Sequence, residues 1–291
     1  MTVWMFPGQG TQAVGMGKGL FLRYPLLIEE ADDVLGYSCK ALCLDDPDGK
    51  LHRTRYAQPA IYVCNALHLA ERRENGEAPR WCAGHSLGEY SALYAAGAFG
   101  FADGLRLVQR RGELFEDCGG GTGMAAVVGL TQARIRAVLR DQGIDGLHFA
   151  NLNTPLQSVI AGPLDALDAA RVPLEAAGCA LFRRLAVSGA FHSPHVASTK
   201  QAFAQALDRV AFEPLAVPVV SNVTARPVEA GRLADYLCEQ IDHPVRWAET
   251  LRYLQRQGAT RFEEVGYGNV LSGLYRALQR ESVEACERIN G

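Results

Sequence analysis

Apolar positions along the chain switch between two rhythms. A short apolar run, Val3 to Phe6, ends at a Gly-rich turn, Pro7 to Gly10, and reads as a strand. From about Thr11 to Arg73 the spacing is dominantly helical. Its strongest stretch starts at Gln58, Pro59 and Ala60, with Ile61, Val63, Leu67 and Leu69 supplying bulk, and Pro59 suits a first helical turn. Trp81 to Gly84 reads as a short buried strand. Tyr90 to Ala98 fits a tightly packed Ala-rich helix, and Phe101 to Phe115 a further helix ended by the glycines after Cys118.

The middle of the chain changes character. Met124 to Leu130 reads as a strand, and Thr131 to Gln142 as an amphipathic helix with Ile135, Val138 and Leu139 on one side. Leu147 to Asn153 and Gln157 to Ala161 read as strands joined by a turn at Thr154 and Pro155. Leu164 to Gly178 is helical, with Pro173 expected to kink or interrupt it. Ala180 to Val187 is a last strand. This β-α-β-β-α-β order is that of a ferredoxin-like unit. The predicted fold is therefore α/β: an α/β-hydrolase-like large domain, residues 1–123 and 192–291, carrying an inserted ferredoxin-like small domain, residues 124–191. The large domain resumes with a helix from about Pro194 to Phe212 and a strand from Val217 to Asn222. Helices are expected near Leu233 to Ile241, Val245 to Gln257 and Asn269 to Arg280, with a strand from Phe262 to Val265.

Composition narrows the class. The chain has 291 residues, 48% hydrophobic and 21% charged, with a formal net charge of −3. That is globular composition, and with no basic run it makes no case for nucleic acid. No apolar run approaches the roughly 18 residues of a membrane span. The start, MTVWMFPGQG, lacks the pattern of a secretory signal, so a cytoplasmic protein is expected. The eight cysteines, Cys39, Cys43, Cys64, Cys82, Cys118, Cys179, Cys238 and Cys286, include no C-x-x-C pair. They read as buried free thiols, and no metal site is expected.

One segment carries chemistry. Gly84-His85-Ser86-Leu87-Gly88 fits G-x-S-x-G between a strand and a helix, the pattern of a nucleophile elbow. Such a turn lifts the serine hydroxyl to a helix N-terminus, where free N–H groups can bind an oxyanion. Serine needs a base at neutral pH. Seven histidines are available, and His85 should leave the turn in another direction. His192 and His195 follow the last strand of the small unit, where a loop can return to the cleft. Position alone leaves His192 open between a catalytic base and a satisfied structural histidine.

At this point an ordered set of motifs resembles a known family. The set is Phe6-Pro7-Gly8-Gln9-Gly10, Gln58-Pro59-Ala60, Gly84-His85-Ser86-Leu87-Gly88-Glu89, Arg111-Gly112, Asn153, Gly189-Ala190-Phe191-His192, Pro244-Val245-Arg246-Trp247 and Val265-Gly266. Together they look like malonyl-CoA:acyl carrier protein transacylases and the acyltransferases of polyketide synthases, over nearly the whole chain. The resemblance implies that Ser86 is the nucleophile and His192 its general base. It implies an oxyanion hole from the backbone N–H groups of Gln9 and Leu87, and a His-orienting carbonyl at Gln240. Arg111 would clamp the malonyl carboxylate, with Gln58 and Asn153 in supporting substrate-binding positions. An arginine can grip a carboxylate through two parallel charge-assisted hydrogen bonds. Phe191, in an Ala-Phe-His triplet, resembles malonyl-selective members, its ring filling the room a 2-methyl branch needs.

The resemblance also implies partners: malonyl-CoA, and an acyl carrier protein or the carrier domains of a polyketide synthase. Coenzyme A and phosphopantetheine would be substrate parts, and no bound cofactor is expected. Housekeeping members often have serine before the histidine, and this chain departs from them there. The segment Val34 to Ser38, with Ala41-Leu42-Cys43 and Asp45 to Asp48, looks closer to free-standing acyltransferases that serve polyketide synthases in trans. A free-standing chain without an attached carrier or synthase domain is expected, and a monomer is the family-based expectation. The alternatives are a housekeeping fatty-acid malonyl transacylase and a carrier-protein thioester hydrolase of the same fold. Thr11 stands where the family usually has serine.

Overall fold

In a computed structural model, residues 1–118 and 120–290 are described, with side chains up to Glu281. The elements in chain order are β1 (Thr2–Phe6), α1 (Leu20–Arg23), α2 (Pro25–Leu35), α3 (Cys39–Leu44), α4 (Thr54–Glu74), β2 (Trp81–Gly84), α5 (Gly88–Ala95) and α6 (Phe101–Asp117). There follow β3 (Thr122–Val128), α7 (Gln132–Asp141), β4 (His148–Thr154), β5 (Gln157–Pro163), α8 (Leu164–Ala176) and β6 (Leu181–Arg184). The chain continues through α9 (Lys200–Leu207), β7 (Val219–Val220), α10 (Leu233–Glu239), α11 (Trp247–Arg256), β8 (Arg261–Glu264) and α12 (Val270–Asn290).

The fold is mixed α/β, with two four-stranded sheets. The first has the order β7-β2-β1-β8 and is parallel throughout. A parallel strand buried on both faces needs apolar side chains on both, so β1 is a continuous apolar run. Trp4 and Phe6 enter the main core, while Val3 and Met5 face Trp247, Leu251 and Leu254 of α11 and Leu271 and Leu274 of α12. The second sheet has the order β4-β5-β3-β6 with every neighbour antiparallel. Val127, Phe149 and Ile160 pack with Ile135 of α7 and Leu167 and Leu174 of α8, whereas Met124 and Val159 join the main core. A parallel bridge, Asn151 to Val245, ties β4 to the segment that leads into α11.

Several elements differ from the sequence expectation. The long N-terminal helical stretch is three short helices and one long one. Residues 14–19 form turns in which Gly15, Gly17 and Gly19 all have positive φ. Helix α4 begins at Thr54, which puts Pro59 in its second turn, where Arg55 O loses its N–H donor. Arg53 and Arg55 anchor that earlier start by pairing with Glu116 of α6. Helix α8 runs through Pro173 without interruption. The helix expected from Pro194 to Phe212 is a 3₁₀ stretch, Pro194–Thr199, followed by the short α9. The strand expected from Val217 to Asn222 keeps two residues, because Asn222 leaves the sheet to brace the turn after β2.

Cys39, Cys43, Cys64 and Cys82 are buried free thiols, while Cys118, Cys179 and Cys238 are free but only partly buried. Cys286 lies outside the described side chains. Among the described residues, no group of three or more His, Cys, Asp or Glu is placed to hold a metal, and no helix is long and apolar enough to cross a membrane.

Candidate active site

Strand β2 ends at Gly84, and the chain turns sharply into α5. Ser86 sits at the apex with φ +53°, a left-handed conformation that a non-glycine residue holds only where its surroundings enforce it. Three glycines make the turn possible. A Cβ on Gly84 would lie 1.9 Å from the Gly88 carbonyl, one on Gly88 1.9 Å from Phe6 O, and one on Gly8 2.4 Å from His85 O. Asn222 clamps the strained apex: its Oδ1 accepts from Ser86 N at 2.7 Å and its Nδ2 donates to Gly84 O at 2.6 Å.

His192 also has a left-handed backbone, φ +58°, and reaches the same point from the loop after β6. Its Nε2 lies 2.6 Å from Ser86 Oγ, and its Nδ1 lies 2.8 Å from Gln240 O. A carbonyl can only accept, so Nδ1 carries the proton and Nε2 is left with the lone pair that faces the serine hydroxyl. Among the described residues, no carboxylate is hydrogen-bonded to the ring. Burial, with the Arg111 charge nearby, pushes the imidazole down to about 3, so it stays neutral and able to accept a proton throughout the physiological range.

Arg111 of α6 is wholly buried beside this pair. Its Nη2 donates to Ser86 Oγ at 3.1 Å and to Gln240 Oε1 at 3.0 Å, and its Nη1 donates to Gln58 Oε1 at 2.9 Å. Its guanidinium lies over the Phe115 ring at 4.4 Å. Its Nε has no hydrogen-bond partner, and among the described residues no carboxylate pairs with it directly. A buried cation held only by neutral acceptors is the environment in which an incoming carboxylate gains most. Phe191 stacks on Phe115 at 4.4 Å with the planes 17° apart, so the two rings and the guanidinium form one column next to His192.

The backbone N–H groups of Gln9 and Leu87 have no protein acceptor among the described residues. Gly8 places the first of these turns against the second, its ideal Cβ position lying 3.5 Å from Leu87 N. Thr54 Oγ1 accepts from Gln9 Nε2, and Gln9 Oε1 accepts from Gln58 Nε2. Gln58 therefore joins the Gln9 turn to Arg111. The arrangement combines a serine, a neutral base, two unused amide donors and a lone buried cation. It can form and break an ester at Ser86 Oγ.

Comparison with known proteins gives the same architecture a family. Residues 3–287 match the acyl transferase domain family. The chain belongs to the acyl transferase family. It is 45% identical, over 97% of its own length and 98% of the relative's, to the polyketide biosynthesis malonyl CoA-acyl carrier protein transacylase BaeC of Bacillus velezensis. It is 47% identical to the polyketide biosynthesis protein ThaF of Burkholderia thailandensis, covering 96% of this chain but only 24% of that longer protein. Among solved structures, the malonyl CoA-acyl carrier protein transacylase of Burkholderia pseudomallei superimposes with a TM-score of 0.91. It is 45% identical, with 96% of this chain and 98% of that one covered.

The remaining residues of this acyl transferase sort by distance from Ser86 Oγ. Asn153 does not touch the Ser86, His192 and Arg111 cluster. Its Oδ1 accepts from His85 Nε2 at 2.8 Å, and His85 also packs edge-on against Trp247, so the ring turns away from Ser86 Oγ. His195 bonds Gly146 O on the surface and stays outside the site. Thr11 Oγ1 caps Gly8 O. Two residues escaped the sequence reading. Asn222 stands at a strand end, where asparagine reads as turn chemistry. Glu89 lies in the first turn of α5, where an acid suits the helix N-terminus, yet it is buried. A lone acid within an Ala-rich buried helix is the signal that could have revealed it.

Proposed function

We propose that this acyl transferase moves a malonyl group from malonyl-CoA to the phosphopantetheine thiol of an acyl carrier protein. In the first half, His192 Nε2 takes the proton of Ser86 Oγ as that oxygen attacks the thioester carbonyl. The amides of Gln9 and Leu87 hold the developing oxyanion, and His192 returns the proton to the departing coenzyme A sulfur. In the second half, the base takes the proton of the carrier thiol, the thiolate attacks the malonyl-Ser86 ester, and Ser86 regains its proton. The Gln240 carbonyl stabilises the transient imidazolium. Coenzyme A and phosphopantetheine enter as parts of substrates, and no step requires a bound cofactor or a metal.

The observation that carries this reading is Arg111, buried 3.1 Å from the nucleophile with no carboxylate paired to it. A neutral acyl chain has no use for that charge, which speaks against the thioester hydrolase. Phe191 closes the space beside it and favours an unbranched malonyl group. The names of ThaF and BaeC support polyketide biosynthesis over a housekeeping fatty-acid role, and service of carriers in trans belongs to the same proposal.

The architecture belongs to the same proposal. The strand order β4-β5-β3-β6, antiparallel throughout, supports a ferredoxin-like small domain at residues 124–191. The parallel sheet with a strand-turn-helix serine supports an α/β-hydrolase-like large domain at 1–123 and 192–291. Free thiols fit a reducing, cytoplasmic setting. The test is to follow radiolabelled malonyl-CoA in the presence of a holo-carrier protein. Label should pass from protein to carrier. Label released as free malonate, with none on the carrier, would favour the hydrolase.

A further inference from the structure

Gln240 does two tasks at once. Its backbone carbonyl holds His192 Nδ1, and its side-chain Oε1 holds Arg111 Nη2. Its Nε2 donates to Ser86 O at 2.9 Å and to Glu89 Oε2 at 2.6 Å. We infer that Glu89 is a positioning residue whose carboxylate locks the Gln240 side chain, and through it the base and the carboxylate clamp, in their working orientation. This rests on the acyl-transfer reading above.

The hydrogen-bond inventory carries the argument. Glu89 Oε1 accepts from Asn222 N at 3.2 Å, and Oε2 accepts from Gln240 Nε2. Both neighbours are donors, and an ionised carboxylate meets them at both oxygens with no proton of its own to place, whereas a neutral carboxyl would bring an O–H into a pair of donors. With Glu89 ionised, the Gln240 amide has one orientation: NH2 toward Glu89, and oxygen toward Arg111. If that amide turned over, an N–H would face the guanidinium and an oxygen would face the carboxylate. Asn222 ties the same brace to the Ser86 turn, so one buried carboxylate connects nucleophile, base and clamp.

The brace is titratable. Burial pushes the Glu89 carboxyl up to about 7, against the bonds from Gln240 and Asn222 and the charge of Arg111, which favour ionisation. Among the charged and titratable groups around it, Arg111 of α6 is the fixed charge. Tyr90 of α5 is raised by burial, His192 is held neutral, and Cys238 of α10 is raised, so none of these changes charge near neutrality. Below that point a protonated Glu89 would set an O–H against a donor.

The experiment is the pH dependence of the rate of Ser86 malonylation, followed by rapid quench and intact mass, for wild type, Glu89→Gln and Gln240→Met. Wild type should lose rate as pH falls through about 7, since the ionised form is the active one. Glu89→Gln should be slower by about 10- to 100-fold, the scale of a sub-ångström to 1 Å misplacement of reacting groups, and should lack that acid limb. Its preference for malonyl-CoA over acetyl-CoA should fall together with its rate. Gln240→Met keeps the carbonyl but cuts the link, and should also lack the limb. A merely structural role would lower the active fraction and leave pH profile and selectivity unchanged. A wild-type rate flat through neutrality overturns the inference, as does a limb retained in either variant. Absence of any Ser86 adduct in wild type would instead strike the acyl-transfer reading itself.

Discussion

Replacing Arg111 by alanine separates substrate selection from chemistry. In the resting site the guanidinium bonds two glutamine oxygens and the serine hydroxyl, all neutral acceptors. A malonyl carboxylate replaces neutral partners by a charged one. Hydrogen bonds to charged groups contribute about 1.5–3 kcal/mol, against about 0.5–1.5 kcal/mol for neutral pairs. For a two-bond grip the difference is about 2–3 kcal/mol, or about 30- to 160-fold in kcat/KM. The variant also strands Gln58 Oε1 and Gln240 Oε1, a loss that falls on every acyl substrate alike. The ratio of kcat/KM for malonyl-CoA to that for acetyl-CoA therefore isolates the carboxylate. It should drop by about the factor above, mostly through poorer malonyl transfer. Thermal melts of wild type and variant separate this from partial unfolding. An unchanged ratio in a folded variant would refute the clamp, and with it the physical basis for malonyl selection.

His192→Ala should slow acylation of Ser86 by about 10²- to 10⁴-fold, whereas His195→Ala, which loses a surface bond to Gly146 and an edge contact with His148 away from Ser86, should act near wild type; burst kinetics with malonyl-CoA distinguish them. Phe191→Ser should open the column beside Arg111 and raise the methylmalonyl-to-malonyl ratio by about 10- to 200-fold, the range for one methylene-sized difference, as read by competition for a carrier. His192 should also make the fold acid-sensitive. Its folded value, depressed from 6.5 to about 3, means that the unfolded chain takes up the proton first, so stability is full above about 6.5 and falls as pH drops. At about pH 4.5 that loss is about 3 kcal/mol, so His192→Gln should be less acid-sensitive in urea melts, and equal sensitivity in both proteins would contradict the buried neutral imidazole.

What could be read from the chain depended on how local the signal was. Strand β1 was legible because a parallel strand covered on both faces is apolar at every position. The four strands and two helices between Thr122 and Arg184 were legible because each buries one clear apolar face against its neighbours. The N-terminal third was not, since glycines with positive φ break a helical rhythm that periodicity counts still register. Strand β7 shrank to two residues because a tertiary demand, the Asn222 clamp on Ser86, overrode its β-forming sequence. At the site, Ser86 stood out through the glycines its backbone requires. His192 and Arg111 came through the ordered motif set and Gln240 through the family resemblance it carries, since nothing local brings residues so far apart in the chain to one hydroxyl. The roles of the Gln240 side chain and the Glu89 carboxylate were not legible, because they lie in a hydrogen-bond pattern among four separate segments; only the burial of Glu89 left a local signal.

The central claim is that Ser86 Oγ carries the malonyl group between donor and acceptor. Its most direct measurement is the intact mass of the protein after brief exposure to malonyl-CoA, for wild type and Ser86→Ala, before and after addition of a holo-carrier protein. Wild type should gain one malonyl group, mapped to Ser86, and lose it to the carrier, while the variant gains none and keeps its fold. A malonyl adduct that persists on Ser86→Ala, or a wild-type adduct that the carrier cannot discharge, would contradict it.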